Sequence, residues 1–201
     1  MIDAFFNIRY KGSDPGWFDG LSITECPECM EQKNSSPVIS LNLKGLSLDS
    51  IDSFLQTFAM KIGKICSGFK YLLDSDVDDV MLDDFDRIRR KNGSRLDLEG
   101  SLKLLTDILK EYHGRDVIVL IDEYDNPIQN TYGKPLQQEI ISFMRNLLTN
   151  ALKSNESLRF GIVTGVMQIA KESIFSGLNN LDVNNIFSSN FNEYFGFTES
   201  E

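Results

Sequence analysis

The 201 residues suffice for one sizeable domain with a buried core, and 41% hydrophobic with 25% charged residues is the composition of an ordinary globular protein, neither disordered nor fibrous. With 20 basic against 30 acidic side chains the net charge is -10, which argues against unaided DNA or RNA binding, where basic groups must displace counterions from phosphates. No apolar run reaches membrane-spanning length, no secretory leader opens the chain, and three cysteines, an odd number, fit free thiols in a reducing cytoplasm.

In chain order, Ala4, Phe5, Phe6 and Ile8 crowd together with no cap or turn ahead of them, so a helix cut at Met1 is expected there. Residues 11–20 are rich in turn formers and read as a loop, with Trp17 and Phe18 as anchors to the body. Residues 38–43 read as a strand ended by Lys44-Gly45, and a helix follows over 48–66. Residues 74–86 hold seven aspartates interleaved with Val77, Val80, Met81, Leu82 and Phe85; they are expected to be an acidic insert, covering about 70–95, with a short helix. A second helix over 96–112 carries Leu98, Leu102, Leu105 and Leu109 on one stripe and closes at His113-Gly114. Residues 117–121 form the unbroken apolar run of a strand buried on both faces of a parallel sheet. A helix over 136–152 and a strand over 158–163 complete the alternation. Strand alternating with helix implies right-handed crossovers, hence an α/β fold: a single domain, residues 1–201, built as a three-layer parallel sheet flanked by helices.

The segment with most chemical content is Asp122-Glu123-Tyr124-Asp125, at the end of the buried strand. Ligands of open α/β sheets gather at the carboxyl ends of strands, and where the strand ends the chain turns, so two adjacent acids there can border one crevice. Hydrolysis of a nucleoside triphosphate asks for such a pair: Asp122 would hold the magnesium shell and Glu123 would orient or deprotonate the attacking water. Thr164, at the end of the 158–163 strand, would place a hydroxyl beside the same crevice to sense a terminal phosphate. The plain alternatives are acids that punctuate a strand end and a threonine making a local turn bond.

Leu120-Ile121-Asp122-Glu123-Tyr124-Asp125-Asn126-Pro127, the stretch from Leu158 to Val166, Ser173-Ile174-Phe175-Ser176-Gly177-Leu178-Asn179-Asn180 and Gly196-Phe197-Thr198 together resemble the AAA-ATPase-like family of predicted bacterial P-loop ATPases, whose members often carry a PD-(D/E)XK nuclease-like domain. The resemblance implies ATP and Mg2+ as cofactors, Asp122 and Glu123 as the Walker B pair, Thr164 as a sensor, and Lys171 and Ser173 near the phosphates. Asp125 matches the motif too, and its simplest role is to turn the chain ahead of Asn126-Pro127. The family's G-x-x-x-x-G-K-[ST] loop has no counterpart here: Gly63-Lys64 is followed by Ile65 in a helix and Gly133-Lys134 by Pro135. Met1 then falls inside the helix that should follow the loop, and the chain is expected to be a fragment, a misplaced start or a degenerate copy. It should not turn over ATP alone, and it should self-associate through the sheet edge left open. The alternative is a non-catalytic interaction module on a degenerate ATPase scaffold.

Other signals carry less. Cys26-Pro27-Glu28-Cys29 lacks the further ligands a structural zinc needs, and reads as two free thiols at a turn or helix start. Asp74 to Asp78 imitates an EF-hand opening, but Asp79 and Phe85 stand where glycine and glutamate belong. Arg87, Arg89, Arg90 and Lys91 read as a salt-bridge network with the aspartates rather than an arginine finger. Nuclease chemistry is not expected, since the paired acids are not followed by an E/Q-x-K pattern: Tyr124 and Asp125 come after Glu123.

Overall fold

Three aliphatic runs form strands β1 (Val38–Asn42), β2 (Val117–Asp122) and β3 (Leu158–Val163) in the computed structural model, which describes residues 1–13, 15–166, 174–175, 181–185, 188 and 190. All pair in parallel in the order β1-β2-β3, with Val38 opposite Ile118 and Ile118 opposite Phe160. The central strand is paired on both sides and covered on both faces, which is why Val117, Ile118 and Val119 can all be apolar and fully buried.

Spatial order follows chain order, so two right-handed crossovers return over the same face of the sheet. That face carries α3 (Ile51–Ser67), α5 (Arg95–His113) and α7 (Gln137–Leu152). Ile39, Leu41, Leu43, Val119 and Ile121 pack there into one core with the helices' apolar stripes. Phe143 sits at its centre with its ring edge-on to Phe54 and Phe58, at centroid distances of 5.1 and 4.9 Å. Helix ends follow local chemistry: Ser50 and Ser94 each close a capping box, starting α3 at Ile51 rather than residue 48, and Gly114 ends α5 at φ 61°.

The aspartate-rich segment packs into the main core. Asp78 caps α4 (Asp79–Arg89), whose Leu82, Phe85 and Ile88 are buried between α3 and α5. Helical spacing of those three residues joins the helix to the main core, while the aspartates face solvent and pair with arginines: Arg87 bridges Asp84 and Asp97, and Arg89 and Arg90 share Asp86. These pairs hold the Asp86 and Asp97 carboxyls below the usual range, through hydrogen bonds and charge from the arginines working against partial desolvation.

The opposite face carries Val38, Ser40 and Asn42, Ile118, Leu120 and Asp122, Phe160 and Ile162. Its lower part is covered by α1 (Ile2–Phe6): Phe6 reaches Phe160 at 5.6 Å, and Phe5 packs on Phe18 at 5.1 Å. Phe18 is thus an anchor of the early loop, whereas Trp17 is 51% exposed and stacks edge-on against Tyr10. Toward the carboxyl ends this cover runs out among the described residues: Ser40 is exposed and Leu120 and Ile162 are half-buried.

The cysteines differ from the expectation of free thiols. Cys26 caps the short helix α2 (Pro27–Met30), which brings Cys29 round to a Cα separation of 5.2 Å, and the two are joined as a disulfide. Cys66 is the free thiol, and burial inside α3 pushes its pKa up to about 12. Among the described residues no helix is long and apolar enough to cross a membrane.

Candidate functional site at the strand ends

Backbone bonds continue past the ladder and hold the three carboxyl ends level. Leu43 N donates to Asp122 O at 3.0 Å, Thr164 N to Ile121 O at 2.8 Å, and Tyr124 N to Thr164 O at 3.1 Å. Because Asn42 and Asp122 are register partners and Thr164 follows β3 in phase, their side chains stand in one row on the thinly covered face. Asn42 Nδ2 donates to Asp122 Oδ2 at 2.9 Å, and Thr164 Oγ1 donates to Asp122 Oδ1 at 2.6 Å. The Glu123 N–H is the carboxylate's third donor, reaching Oδ1 at 3.0 Å. The carboxylate plane is therefore fixed while the residue stays exposed, which suits a group that must present an oriented oxygen to something arriving from solvent.

Glu123 follows at φ 57°, in the left-handed region that non-glycine residues rarely occupy. The pleat would otherwise send Asp122 and Glu123 to opposite faces. At this turn the Glu123 side chain instead comes within 3.7 Å of Lys44 Nζ, so both acids border the same end of the sheet. Lys44 is positioned in turn by its N–H, which donates to Asn42 Oδ1 at 2.8 Å.

Asp125 does more than turn the chain. It is 2% exposed, accepts from the Val166 N–H at 3.1 Å and from the Gln129 side chain, and precedes α6 (Asn126–Gln129). A Cβ at Gly165 would lie 2.5 Å from Asp125 Oδ1 and 2.7 Å from Tyr124 Cε1. Glycine is needed there because the segment after β3 passes directly over the end of β2, and Asp125 is the clip between them.

Of the residues singled out in the sequence, Asp122, Glu123 and Thr164 come together, while Lys171 and Ser173 lie outside the described residues. Asn42 and Lys44 were missed. The signal was a polar residue closing the β1 run, but only the register places it against Asp122. Neither glycine-lysine pair is a phosphate loop: Gly63 is buried in α3, where a Cβ would meet Arg89 O at 3.0 Å, and Gly133 sits in a turn at φ 73°.

Among the described residues no cluster of three or more His, Cys, Asp or Glu side chains could cage a metal ion. One exposed, hydrogen-bonded carboxylate flanked by neutral polar side chains does fit magnesium, which keeps several waters and takes one or two carboxylates together with substrate phosphates.

The chain is 36% identical over 99 residues to an uncharacterized protein in the vnfD 5' region of Azotobacter chroococcum mcd 1. That match covers 47% of this chain and 19% of the relative, so the chain corresponds to a small part of the relative's length. No solved structure matches the chain. The model of the AAA-ATPase-like family, described as predicted AAA-ATPase, matches residues 1–175, spanning the three strands and the acidic strand end; the chain belongs to that family.

Proposed function

We propose that this chain carries the acidic, water-activating side of a magnesium-dependent ATP site. The observation that carries the reading is the row Asn42–Asp122–Thr164, with Glu123 turned beside it at a positive φ. Magnesium, when bound with nucleotide, would neutralise phosphate charge. The chain's own residues do the rest: Asp122 holds the metal's shell, Thr164 and Asn42 keep the Asp122 carboxylate in one orientation, and Glu123 positions or deprotonates a water. Lys44, 3.7 Å from Glu123, holds the carboxylate aside until substrate enters.

The phosphate-cradling amides are not in this sequence, so the chain alone should bind nucleotide weakly and turn none over. Among the described residues β3 has no outer neighbour and the adjoining face is bare toward its carboxyl end, and this is where a loop-bearing strand and its helix would sit. A cytoplasmic ATPase follows from this reading, with the site completed by that segment. A second reading is an interaction module that keeps the scaffold without the chemistry. Calorimetry with Mg-ATP separates them, using the chain and a version with a G-x-x-x-x-G-K-[ST] strand, loop and helix joined ahead of Met1. Binding by the longer protein that weakens with Asp122→Ala supports the ATP site; no binding by either supports the interaction module.

A further inference from the structure

The outer edge of β1, which meets the strand-end site only at Asn42, opens into a groove of about 670 Å³. In a parallel ladder, alternate residues of an edge strand turn their backbone groups inward. Here Pro37 O accepts from Ile118 N and Leu43 N donates to Asp122 O, so odd-numbered residues serve β2. The amides and carbonyls of Val38, Ser40 and Asn42 therefore face the groove, and these three residues line it. The protein's own chain already uses this edge one step earlier: Asn7 forms a parallel bridge with Ser36, through Ile8 N to Ser36 O at 2.9 Å and Ser36 N to Phe6 O at 3.1 Å. After Ile8 the segment coils away into a 3₁₀ turn, and the edge from Val38 to Asn42 has no strand beside it among the described residues.

The far wall of the groove is α3, which contributes Lys61 and Lys64, one turn apart on the same side. Among the described residues neither has an ion-pair partner, whereas the acid on the near wall, Asp3, is neutralised by Arg9 at 2.9 Å. The end is closed by Tyr71, whose hydroxyl lies 2.9 Å from His113 Nε2. A positive lining is notable on a chain of net charge -10. The strand carries none of the usual edge protection, having no charged residue and no proline between Val38 and Asn42.

We propose that this groove receives an extended acidic segment of a partner protein, which adds as a strand to β1 and sets its carboxylates against Lys61 and Lys64. Backbone groups with no strand beside them among the described residues favour an extended peptide over a compact ligand, because only another backbone matches their spacing. The two lysines select its charge.

The test uses a fluorescein-labelled octapeptide of alternating glutamate and valine, with a lysine-valine octapeptide as control, titrated with the full chain and followed by anisotropy. The expected result is saturable binding of the acidic peptide, at least about tenfold tighter than the basic one. Lys61→Glu/Lys64→Glu, both on a solvated helix face, should abolish that preference. Ser40→Pro removes an outward N–H without touching the bonds to β2, and should weaken binding by about tenfold or more. Circular dichroism on both variants establishes that they fold, and the lysine pair decides the matter if the proline variant does not. No saturable binding, equal affinity for the two peptides, or full affinity in a folded Ser40→Pro would overturn the proposal. Sedimentation showing a dimer that Ser40→Pro dissolves would overturn it too, by making the groove a contact between copies of this chain.

Discussion

If the positive φ at Glu123 is kept for the sake of its carboxylate, replacing that residue should reveal the stored strain. At φ 57° any side chain with a Cβ crowds its own carbonyl, at a cost of roughly 1–2 kcal/mol that glycine avoids. Against this, glycine loses more freedom on folding than alanine, by about 0.5–1 kcal/mol. Both Glu123→Gly and Glu123→Ala lose the contact with Lys44, whose side chain is 71% exposed, so that loss cancels between them. The difference should leave Glu123→Gly more stable than Glu123→Ala by about 0.5–1 kcal/mol. For a domain of this size that corresponds to roughly 1–4 °C in Tm, within reach of differential scanning calorimetry. In an ordinary strand or helix the order reverses. An alanine variant as stable as the glycine variant, or more so, would refute strain at this turn and remove one reason for regarding it as a functional site.

Phe143→Ala removes a fully buried ring that touches Phe54 and Phe58, and should cost about 3–5 kcal/mol in urea unfolding, the usual range for such a cavity. His113 is held below its ordinary pKa by burial, so the unfolded chain takes up this proton first. Its contribution is fully present above the unfolded value of about 6.5 and is lost as pH falls below it; the stability difference between wild type and His113→Gln should narrow between pH 7.5 and 5.5. Among the described residues β3 has no outer neighbour, and that edge should make the chain self-associate. Its one charge, Arg159, is turned toward Gln32, Ser35 and Ser36 rather than guarding the edge, and light scattering should show the association falling when a loop-bearing strand is joined ahead of Met1. A dilution-insensitive monomer of the short chain would count against that picture.

Much of the fold was legible because its signals are local. The run from Val117 to Ile121 could only be a central strand, and the Leu98, Leu102, Leu105, Leu109 stripe could only be a helix face. The packing of the aspartate-rich segment was hard to read because seven acids hide three apolar residues at helical spacing, and their burial depends on a gap between α3 and α5 that no local pattern shows. Cys26 and Cys29 pair because a helix begins between them, a matter of geometry rather than spacing. At the site, Asp122, Glu123 and Thr164 were readable as strand ends. Asn42 lies 80 residues before Asp122 and becomes a partner only through the β1–β2 register.

The most direct test of the ATP-site reading is single-turnover hydrolysis of Mg-ATP by the protein completed with a phosphate loop, compared with its Glu123→Gln variant. Glutamine keeps the shape and removes the base. Nucleotide affinity should be retained while the hydrolysis rate falls by about two powers of ten or more, the scale of losing a positioned base. Equal hydrolysis by the two proteins would contradict the account and take Glu123 out of the chemistry.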